Sequence, residues 1–219
     1  TPVDKNGMRD FESISAINIK LFNENLDELL KGHEVELPTY DFKTGRSMKS
    51  GRKLTLPENG VVVVEGIHGL NPDLYFNVPD QKIYRIYVSA LTALNIDNHN
   101  RIPTTDERLL RRMVRDNKYR GHTPVETIKR WPAVRKGEEK NIFPYQENAD
   151  IMFNSSLVYE FSVLKKYAQP LLENIEKNTP EYREVKRLLK FLSFFEEMDD
   201  SIIPPNSILR EFIGGSVFI

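Results

Sequence analysis

The sequence predicts an α/β fold in which long helices pack on a parallel β-sheet. The first observation is a run of four consecutive valines within residues 60–67, which lacks the alternation of a half-exposed strand. Both faces of such a strand must be buried, as in the centre of a parallel sheet. A second β-rich run at residues 82–90 and the long amphipathic helices around both runs are the other two observations. Extended runs set between helices favour a layered fold with crossover helices.

The N-terminal third alternates between helical and extended signals. Residues 11–31 place isoleucines and leucines at helical spacing, and Gly32 follows as a stop. Residues 34–42 contain Pro38 and are expected to form an edge strand or an extended loop. The basic residues 43–51, with two glycines, are expected to form an exposed turn.

The C-terminal half is mainly helical by pattern. A strong helix is expected from Asp106 to about Arg120, with Thr104 and Thr105 as candidate caps. The remaining expected segments are a helix at 125–136 interrupted at Pro132, a short apolar run at 149–153, and amphipathic helices at 157–177 and 181–197. The tail from residue 202 mixes proline, glycine and large apolar residues, so we expect it to pack back on the body.

Length and composition exclude several classes of function. A chain of 219 residues supports one well-filled core and is too short for two independent ones. A net charge of -1 offers no general field for nucleic acid or membrane surfaces, so any anion site must be local. There is no cysteine, which excludes thiolate metal sites, and no apolar run approaches the roughly 18 residues of a membrane span. We expect a cytoplasmic protein. The absence of an initiator Met and the turn-like first residues suggest an excised piece of a longer chain.

The helix expected at 106–120 carries an arginine face. At about 100° per residue, Arg108, Arg111, Arg112 and Arg115 fall within roughly 100° of arc. Leucines, methionine and valine occupy the opposite side. Residues 101–140 contain 12 Lys and Arg against 6 Asp and Glu. Because like charges at this spacing repel, and because the guanidinium fork suits phosphate, the face predicts a phosphate site. The alternative is a solvated helix face laced with salt bridges.

The valine run ends in Glu65 and Gly66, which indicates a second candidate site. Ligands of open α/β sheets bind at the carboxyl ends of strands, and an acid followed by glycine there suits a Mg²⁺ ion. The alternative is an ordinary surface glutamate. His68 nearby is expected to be a simple hydrogen-bonding residue, and no histidine spacing typical of zinc is present.

Two further features bear on nucleotide binding. Residues 131–145 combine a tryptophan and other aromatics with cations, which could stack bases, although Glu138 and Glu139 favour a packed hinge instead. The chain contains no GxxxxGK[ST] sequence, which is the backbone nest for a triphosphate. The glycines at 214 and 215 lack the required spacing and lysine, so they do not substitute for it.

Several segments together resemble a known family. They read TPVDKNGMRDFES at the start, LPTYDFKTGR at 37–46, VVVVEGIHGLN at 61–71, TTDERLLRRMVRDNKYRG at 104–121, AVRKGEEKNIFPYQENADIMFNSSLVYE at 133–160 and SILREFIGGS at 207–216. The chain resembles the uridine kinase and phosphoribulokinase-like branch of P-loop kinases, starting after the phosphate loop. It is similar to a bacterial subgroup in which such domains follow regions resembling threonyl-tRNA synthetase.

The resemblance implies roles for particular residues. Glu65 resembles the Mg²⁺-associated acid of the family, and Tyr40 matches an aromatic of the nucleoside pocket. Arg112, Arg115 and Arg120 match lid arginines on the nucleotide phosphates, and Arg115 and Arg120 are the expected catalytic pair.

Two departures stand against uridine as the substrate. Gly45 replaces a pocket histidine, and His122 replaces another lid arginine. The family's general base lies in a segment upstream of Thr1, so no base is named.

The sequence thus predicts an N-terminally truncated, P-loop-kinase-like α/β fold with extra C-terminal helices. Residues 1–219 would form the C-terminal part of a uridine-kinase-like domain, with a lid at about 101–125, hinge positions at Gly121 and Pro124, and a helical extension at about 156–219. The full-length protein would use ATP and Mg²⁺ to phosphorylate a nucleoside, while this chain alone would be inactive. The alternatives are a noncatalytic nucleotide- or RNA-binding module, or an interaction domain that docks a partner or a sister chain.

Overall fold

The computed structural model describes residues 10, 12–41 and 46–218. It divides into two compact units, one formed by residues up to 87 with residues 137–151, and the other by residues 88–136 with 152–219. The main elements in chain order are α1 (Ile19–Leu30), β1 (Val35–Asp41), β2 (Arg46–Leu54), β3 (Ile86–Ser89), α2 (Thr104–Arg120), α3 (Pro124–Asn141), β4 (Ile151–Asn154), α4 (Glu160–Glu173), α5 (Tyr182–Leu192) and α6 (Leu209–Ile213).

The first unit contains α1 and a two-stranded ribbon. Helix α1 begins later than predicted because the Asn18 side chain accepts a hydrogen bond from the backbone N–H of Leu21 at 3.1 Å, which caps the helix there. Strand β1 is confirmed and pairs antiparallel with β2, with a register irregularity between Glu36 and Pro38. The exposed turn predicted at 43–51 is wrong from residue 46 onward, where β2 begins, and residues 42–45 lie outside the described part. All nine residues of β2 are exposed, so no apolar alternation marks the strand in the sequence.

The valine run is the main departure from the sequence prediction. Residues 61–65 form no strand or other regular secondary structure, and Val61 and Val63 are 82% and 85% exposed rather than buried. A strand needs a neighbour to pair its backbone N–H and C=O groups, and no described strand is hydrogen-bonded to this segment. The prediction of a buried central strand at the valine run is therefore wrong for the described residues, which provide neither a pairing strand nor burial for it.

Parallel pairing is present between β3 and β4, which overlap the two other predicted apolar runs, at 82–90 and 149–153. The N–H of Ile151 donates to the carbonyl of Arg85, and the N–H of Ser155 donates to that of Ser89. Both partners advance four residues in the same direction, which is the pattern of a parallel ladder. The chain therefore has a mixed α/β fold with parallel strands, as the sequence predicts.

The helical part of the chain after β3 begins with α2 and α3. Helix α2 starts at Thr104 with Pro103 as the N-cap and no side-chain cap, so the predicted capping by Thr104 and Thr105 is wrong. Helix α3 continues through Pro132 to Asn141, so the predicted interruption there is also wrong. Pro132 is exposed, and although its missing N–H removes one helix bond, its ring meets solvent rather than a packed neighbour.

The core lies in the second unit, where α2, α4, α5 and α6 pack on one another. The predicted apolar side of α2 is confirmed, since Leu109, Leu110, Met113 and Val114 are at most 3% exposed. Phe161 packs edge-on against Phe191 at 5.1 Å and stacks on Phe195 at 4.9 Å. The tail packs back as predicted, because Leu209, Phe212 and Ile213 belong to the same core.

A single hydrophobic core was expected from the sequence. Among the described residues, most of the buried hydrophobic side chains lie in the second unit. In the first unit the buried hydrophobic residues among those described are few, namely Leu29, Val35, Leu74 and Tyr87. Its packing relies in part on Asn23, which is 2% exposed and bonds Ile19 and Leu74 carbonyls at 2.8 and 2.9 Å. None of the helices in the described part is both long enough and apolar enough to cross a membrane.

Candidate anion site on helix α2

The arginine face predicted from the sequence opens onto a cleft in the second unit. The cleft has a volume of about 230 Å³ and is called the basic cleft below. Its lining combines arginines with apolar and aromatic residues: Val88, Ala90, Arg108, Arg111, Arg112, Arg115, Trp131, Val134, Ser155, Glu211 and Phe212. Four of the five predicted phosphate-binding arginines are thus brought to one place by a single helix, as their spacing requires.

Arg111 is the arginine at the base of this face, and it is only 7% exposed. Its Nε and Nη2 donate to the two oxygens of Glu160, the latter at 2.6 Å, and its Nη1 and Nη2 donate to the hydroxyl and carbonyl oxygens of Ser155 at 3.0 and 2.7 Å. The Phe212 ring lies 5.0 Å from its guanidinium carbon. Four of the five N–H groups of Arg111 therefore have protein acceptors, and the residue joins α2 to the start of α4.

Two buried carboxylates share the charge of Arg111. Glu160 takes both short hydrogen bonds, whereas Glu107 Oε1 lies 3.2 Å from Arg111 Nη2 without hydrogen-bond geometry. Burial, the nearby charge of Glu160 and a hydrogen bond with it together raise the pKa of Glu107 to about 8, against a weaker opposing effect of Ser156 and Arg111. Burial alone would lower the pKa of Arg111, but the hydrogen bond with Glu160 and the charges of Glu160, Glu107 and Glu211 together outweigh it, and the pKa is raised. The raised pKa favours the protonated form of Glu107 at neutral pH.

A third buried acid, Asp116, contacts three further arginines of the helix. Its side chain is 3% exposed, and its oxygens lie 3.3 Å from Arg112 Nε, 3.0 Å from Arg115 Nη2 and 3.3 Å from Arg120 Nη1. Arg115 Nε also donates to Asp116 at 3.0 Å. Because three guanidinium groups converge on one carboxylate, the repulsion expected between them is reduced and their positions are restrained.

The cations of this face remain accessible despite these contacts. The side chains of Arg112 and Arg115 are 30% and 23% exposed, and that of Arg120 is 52% exposed. Arg115 Nη1 also lies 3.8 Å from Glu211 Oε1 of α6. The salt-bridged helix face that was the alternative expectation is thus present, and two of these arginines, Arg112 and Arg115, also line the basic cleft.

The predicted hinge lies directly after these arginines. Gly121 ends α2 with φ at +66°, a left-handed conformation that glycine adopts without strain. The N–H groups of Gly121 and His122 both bond the carbonyl of Asp116. Thr123 then begins α3 in a reciprocal cap with Glu126, at 2.7 and 3.2 Å. Two well-capped helices joined by a short connection are compatible with a hinge, whose movement stays a prediction.

The two remaining predicted site residues belong to the first unit. Tyr40 lies on β1 and is 41% exposed, and Glu65 is exposed at the end of the valine run, before Gly66 with φ at +152°. Gly45, one of the two departures from the family pattern, lies outside the described residues.

The described residues fit a Mg²⁺ ion only through a single carboxylate ligand. None of them form a group of three or more acids or histidines able to enclose a metal. Mg²⁺ typically keeps several waters and takes one or two carboxylates together with substrate phosphates. The exposed Glu65 fits that arrangement as a single ligand, and an all-protein cage does not fit.

His68 behaves as the structural residue that was expected. It is 5% exposed, and its Nε2 lies 3.0 Å from the carbonyl oxygen of Glu12. Burial lowers its pKa, partly offset by that hydrogen bond and by Asp10. His68 is therefore a buried neutral histidine that ties two segments of the first unit together.

Sequence reasoning missed several residues of the basic cleft. Asp116 was detectable, because it stands four residues from both Arg112 and Arg120 on the same helix. Glu160, Glu211 and Phe212 come from 40 or more positions away, and no local pattern connects them with α2. Trp131 was noted as an aromatic beside cations, and it does line the cleft.

Comparisons with known proteins indicate the family of the chain. The profile of the Phosphoribulokinase / Uridine kinase family matches residues 4–161. Uridine kinase from Staphylococcus haemolyticus (strain JCSC1435) is 32% identical over 138 residues, which is 63% of this chain and 58% of that protein. Uridine kinase from Macrococcus caseolyticus (strain JCSC5402) shows the same identity and coverage, and that from Staphylococcus aureus (strain JH9) is 31% identical over the same length. The chain spans 58% of the length of these curated relatives.

Proposed function

This chain belongs to the Phosphoribulokinase / Uridine kinase family, and from that premise we propose that it forms part of an ATP-dependent nucleoside kinase that transfers the γ-phosphate to a ribose hydroxyl. The observation that carries the proposal is the basic cleft, where α2 presents several arginines to one open space. Phosphoryl transfer depends mainly on positioning and on stabilising negative charge, which arginines do well. The relatives named uridine kinase support a nucleoside as the acceptor.

The arginines take different parts in this proposal. Arg108 and Arg112 bind the nucleotide phosphates, and Arg115 and Arg120 stabilise the charge that develops on the transferred phosphoryl group. Arg111 was predicted as a phosphate ligand. We assign it a positioning role instead, because four of its N–H groups donate hydrogen bonds to Glu160 and Ser155. Asp116 positions Arg112, Arg115 and Arg120.

The first unit supplies the remaining groups. Glu65 would hold Mg²⁺ through one carboxylate oxygen or a water, and the ion would neutralise phosphate charge when bound. Tyr40 would provide an aromatic surface for the nucleoside. No GxxxxGK[ST] sequence occurs in the 219 residues, so the proposal takes the phosphate nest and the general base from outside them. We accordingly expect residues 101–125 to act as the lid of a cytoplasmic enzyme and this chain alone to be inactive.

The first experiment tests phosphate binding by the chain itself. Pyrophosphate is titrated calorimetrically into the wild type, the double variant Arg112→Ala/Arg115→Ala, and the matched control Arg183→Ala, which removes an exposed arginine of α5. We expect the double variant to lose at least about tenfold in affinity and the control to retain it, since each charge-assisted contact contributes about 1.5–3 kcal/mol. Equal affinity in all three proteins would remove the basis of the proposal.

The second experiment tests catalysis. The chain alone with ATP, Mg²⁺ and uridine should show no turnover, and turnover at an ordinary kinase rate would refute its incompleteness. In a full-length protein, Arg115→Ala should lower kcat by about 10²-fold or more while changing the melting temperature little. Parallel losses of kcat and melting temperature would instead make Arg115 a structural residue.

A noncatalytic nucleotide- or RNA-binding module is the second candidate. Trp131 favours it, because an aromatic ring in the same cleft as the arginines could stack a base. RNA binding through the arginines would weaken steeply with salt and would be abolished by the double variant. Weak, salt-independent RNA binding together with tight pyrophosphate binding would exclude the RNA-binding module and leave the kinase as the one remaining proposal.

A further inference from the structure

Helix α6 contributes to the basic cleft although it lies outside the part of the chain that matches the family. The family profile ends at residue 161, whereas Glu211 and Phe212 of α6 line the cleft. The helix is held firmly: Leu209, Phe212 and Ile213 are at most 6% exposed, and Lys118 of α2 donates its ammonium group to the carbonyl of Ile213. The position of α6 beside α2 is therefore determined by core packing rather than by the charges of the cleft.

This anchoring places two neighbouring side chains against two arginines. The Phe212 ring packs against the guanidinium of Arg111 at 5.0 Å, on the buried side. The next residue back, Glu211, directs its carboxylate to Arg115, with Oε1 3.8 Å from Nη1, and remains 50% exposed. Asp116 is buried and contacts three arginines. Glu211 instead lies at the open side of the cleft, where an incoming anion would meet Arg115.

We propose that Glu211 is a specificity-determining residue of the basic cleft, which competes with phosphate groups for Arg115 and so disfavours the most highly charged anions. The proposal rests on the proposed function in one respect, namely that the arginine face binds phosphate. A carboxylate at ion-pair distance neutralises part of the charge of Arg115 and repels any anion beside it. Because repulsion grows with ligand charge, its effect is greater on pyrophosphate than on inorganic phosphate.

The size of the effect follows from the exposure of the pair. A half-exposed ion pair at 3.8 Å contributes little to stability, so Glu211 can turn away from Arg115 when a ligand binds. Its removal should strengthen pyrophosphate binding by about three- to tenfold at low salt. Salt should reduce that gain, because charges near the surface are screened within about 10 Å at 0.1 M.

The experiment measures anion affinity of the 219-residue chain by calorimetry. Wild type, Glu211→Gln and the control Glu196→Gln, which neutralises an exposed acid outside the cleft, are titrated with pyrophosphate and with inorganic phosphate at low and high salt. We expect Glu211→Gln alone to bind more tightly, with the larger gain for pyrophosphate and a smaller gain at high salt. Melting temperatures of all variants check folding, and Glu211→Ala repeats the test should the glutamine variant be unstable.

A double-mutant cycle with Arg115 separates competition from an indirect effect. In an Arg115→Ala background, the gain in pyrophosphate affinity from Glu211→Gln should be clearly smaller than in the wild-type background, because the group for which the carboxylate competes is absent and only its direct repulsion of the anion remains. A gain of equal size in both backgrounds, or wild-type binding with no gain in Glu211→Gln, overturns the inference while the proposed function stands. Failure of both wild type and Glu211→Gln to bind pyrophosphate overturns the inference and the proposed function together.

Discussion

Replacing Glu107 by glutamine should make the stability of the second unit less dependent on pH. Glu107 is fully buried, receives a hydrogen bond from the Ser156 hydroxyl at 2.8 Å, and competes with Glu160 for Arg111. Its pKa rises from 4.5 to about 8 in the folded protein, first because of burial and then because of Glu160. Glutamine keeps the shape and the acceptor oxygen but cannot ionise, so it imitates the protonated form.

The sign and magnitude follow from that pKa. A carboxyl group whose pKa is raised by folding contributes stability in full below about 4.5, and this contribution is lost as the pH rises toward about 8. Each pH unit in this window corresponds to about 1.4 kcal/mol. Between pH 5 and pH 8 the wild type should therefore lose up to about 3–4 kcal/mol relative to Glu107→Gln. At pH 5 the two proteins should differ by only about 1 kcal/mol, the value of one altered hydrogen bond.

Urea unfolding at several pH values between 5 and 8 measures this difference. The fluorescence of Trp131, the single tryptophan, reports on the unit that contains Glu107. All other titratable groups are common to both proteins and cancel in the difference, and Glu196→Gln serves as an exposed-acid control. A difference that stays flat with pH, with the glutamine variant less stable throughout, would mean that Glu107 is ionised and that the cluster carries a net negative charge.

Two further substitutions test the organisation of the same unit. Asp116→Asn removes the common partner of Arg112, Arg115 and Arg120 but keeps the backbone carbonyl that caps the helix. Pyrophosphate affinity should therefore fall about three- to tenfold, and urea unfolding should show a loss of about 1–2 kcal/mol in stability. Unchanged affinity would show that the acid does not position these arginines. Phe161→Ala should cost about 3–5 kcal/mol in the same unfolding measurement, because it empties the centre of an aromatic cluster, and a loss below about 1 kcal/mol would contradict that central place.

The family and the location of the candidate site were accessible from sequence patterns. The arginine face and the leucine-rich face of α2 follow from helical periodicity alone, because side chains three and four residues apart lie on one side of a helix. The same local rule could have identified Asp116. The parallel strands β3 and β4 were found as apolar runs, and the family resemblance agrees with the profile that matches residues 4–161.

Other features could not be read from local patterns. Strand β2 is exposed along its whole length, so only its pairing with β1 defines it. The four valines predicted a buried strand, but burial depends on neighbours, and the described residues leave Val61 and Val63 exposed. Pro132 was read as a helix break, although the neighbouring turns of α3 continue the helix around it.

By itself, the sequence determined that four arginines share one side of a helix whose other side belongs in a core, because that arrangement depends only on the pitch of the helix. Only the tertiary structure decided what each arginine does. Glu160 binds Arg111 from the start of α4 and removes it from the ligand-facing set, while Glu211 reaches Arg115 from α6. Contacts between residues about 50 and 96 positions apart depend on how the helices pack, and packing is a property of the whole core rather than of any segment.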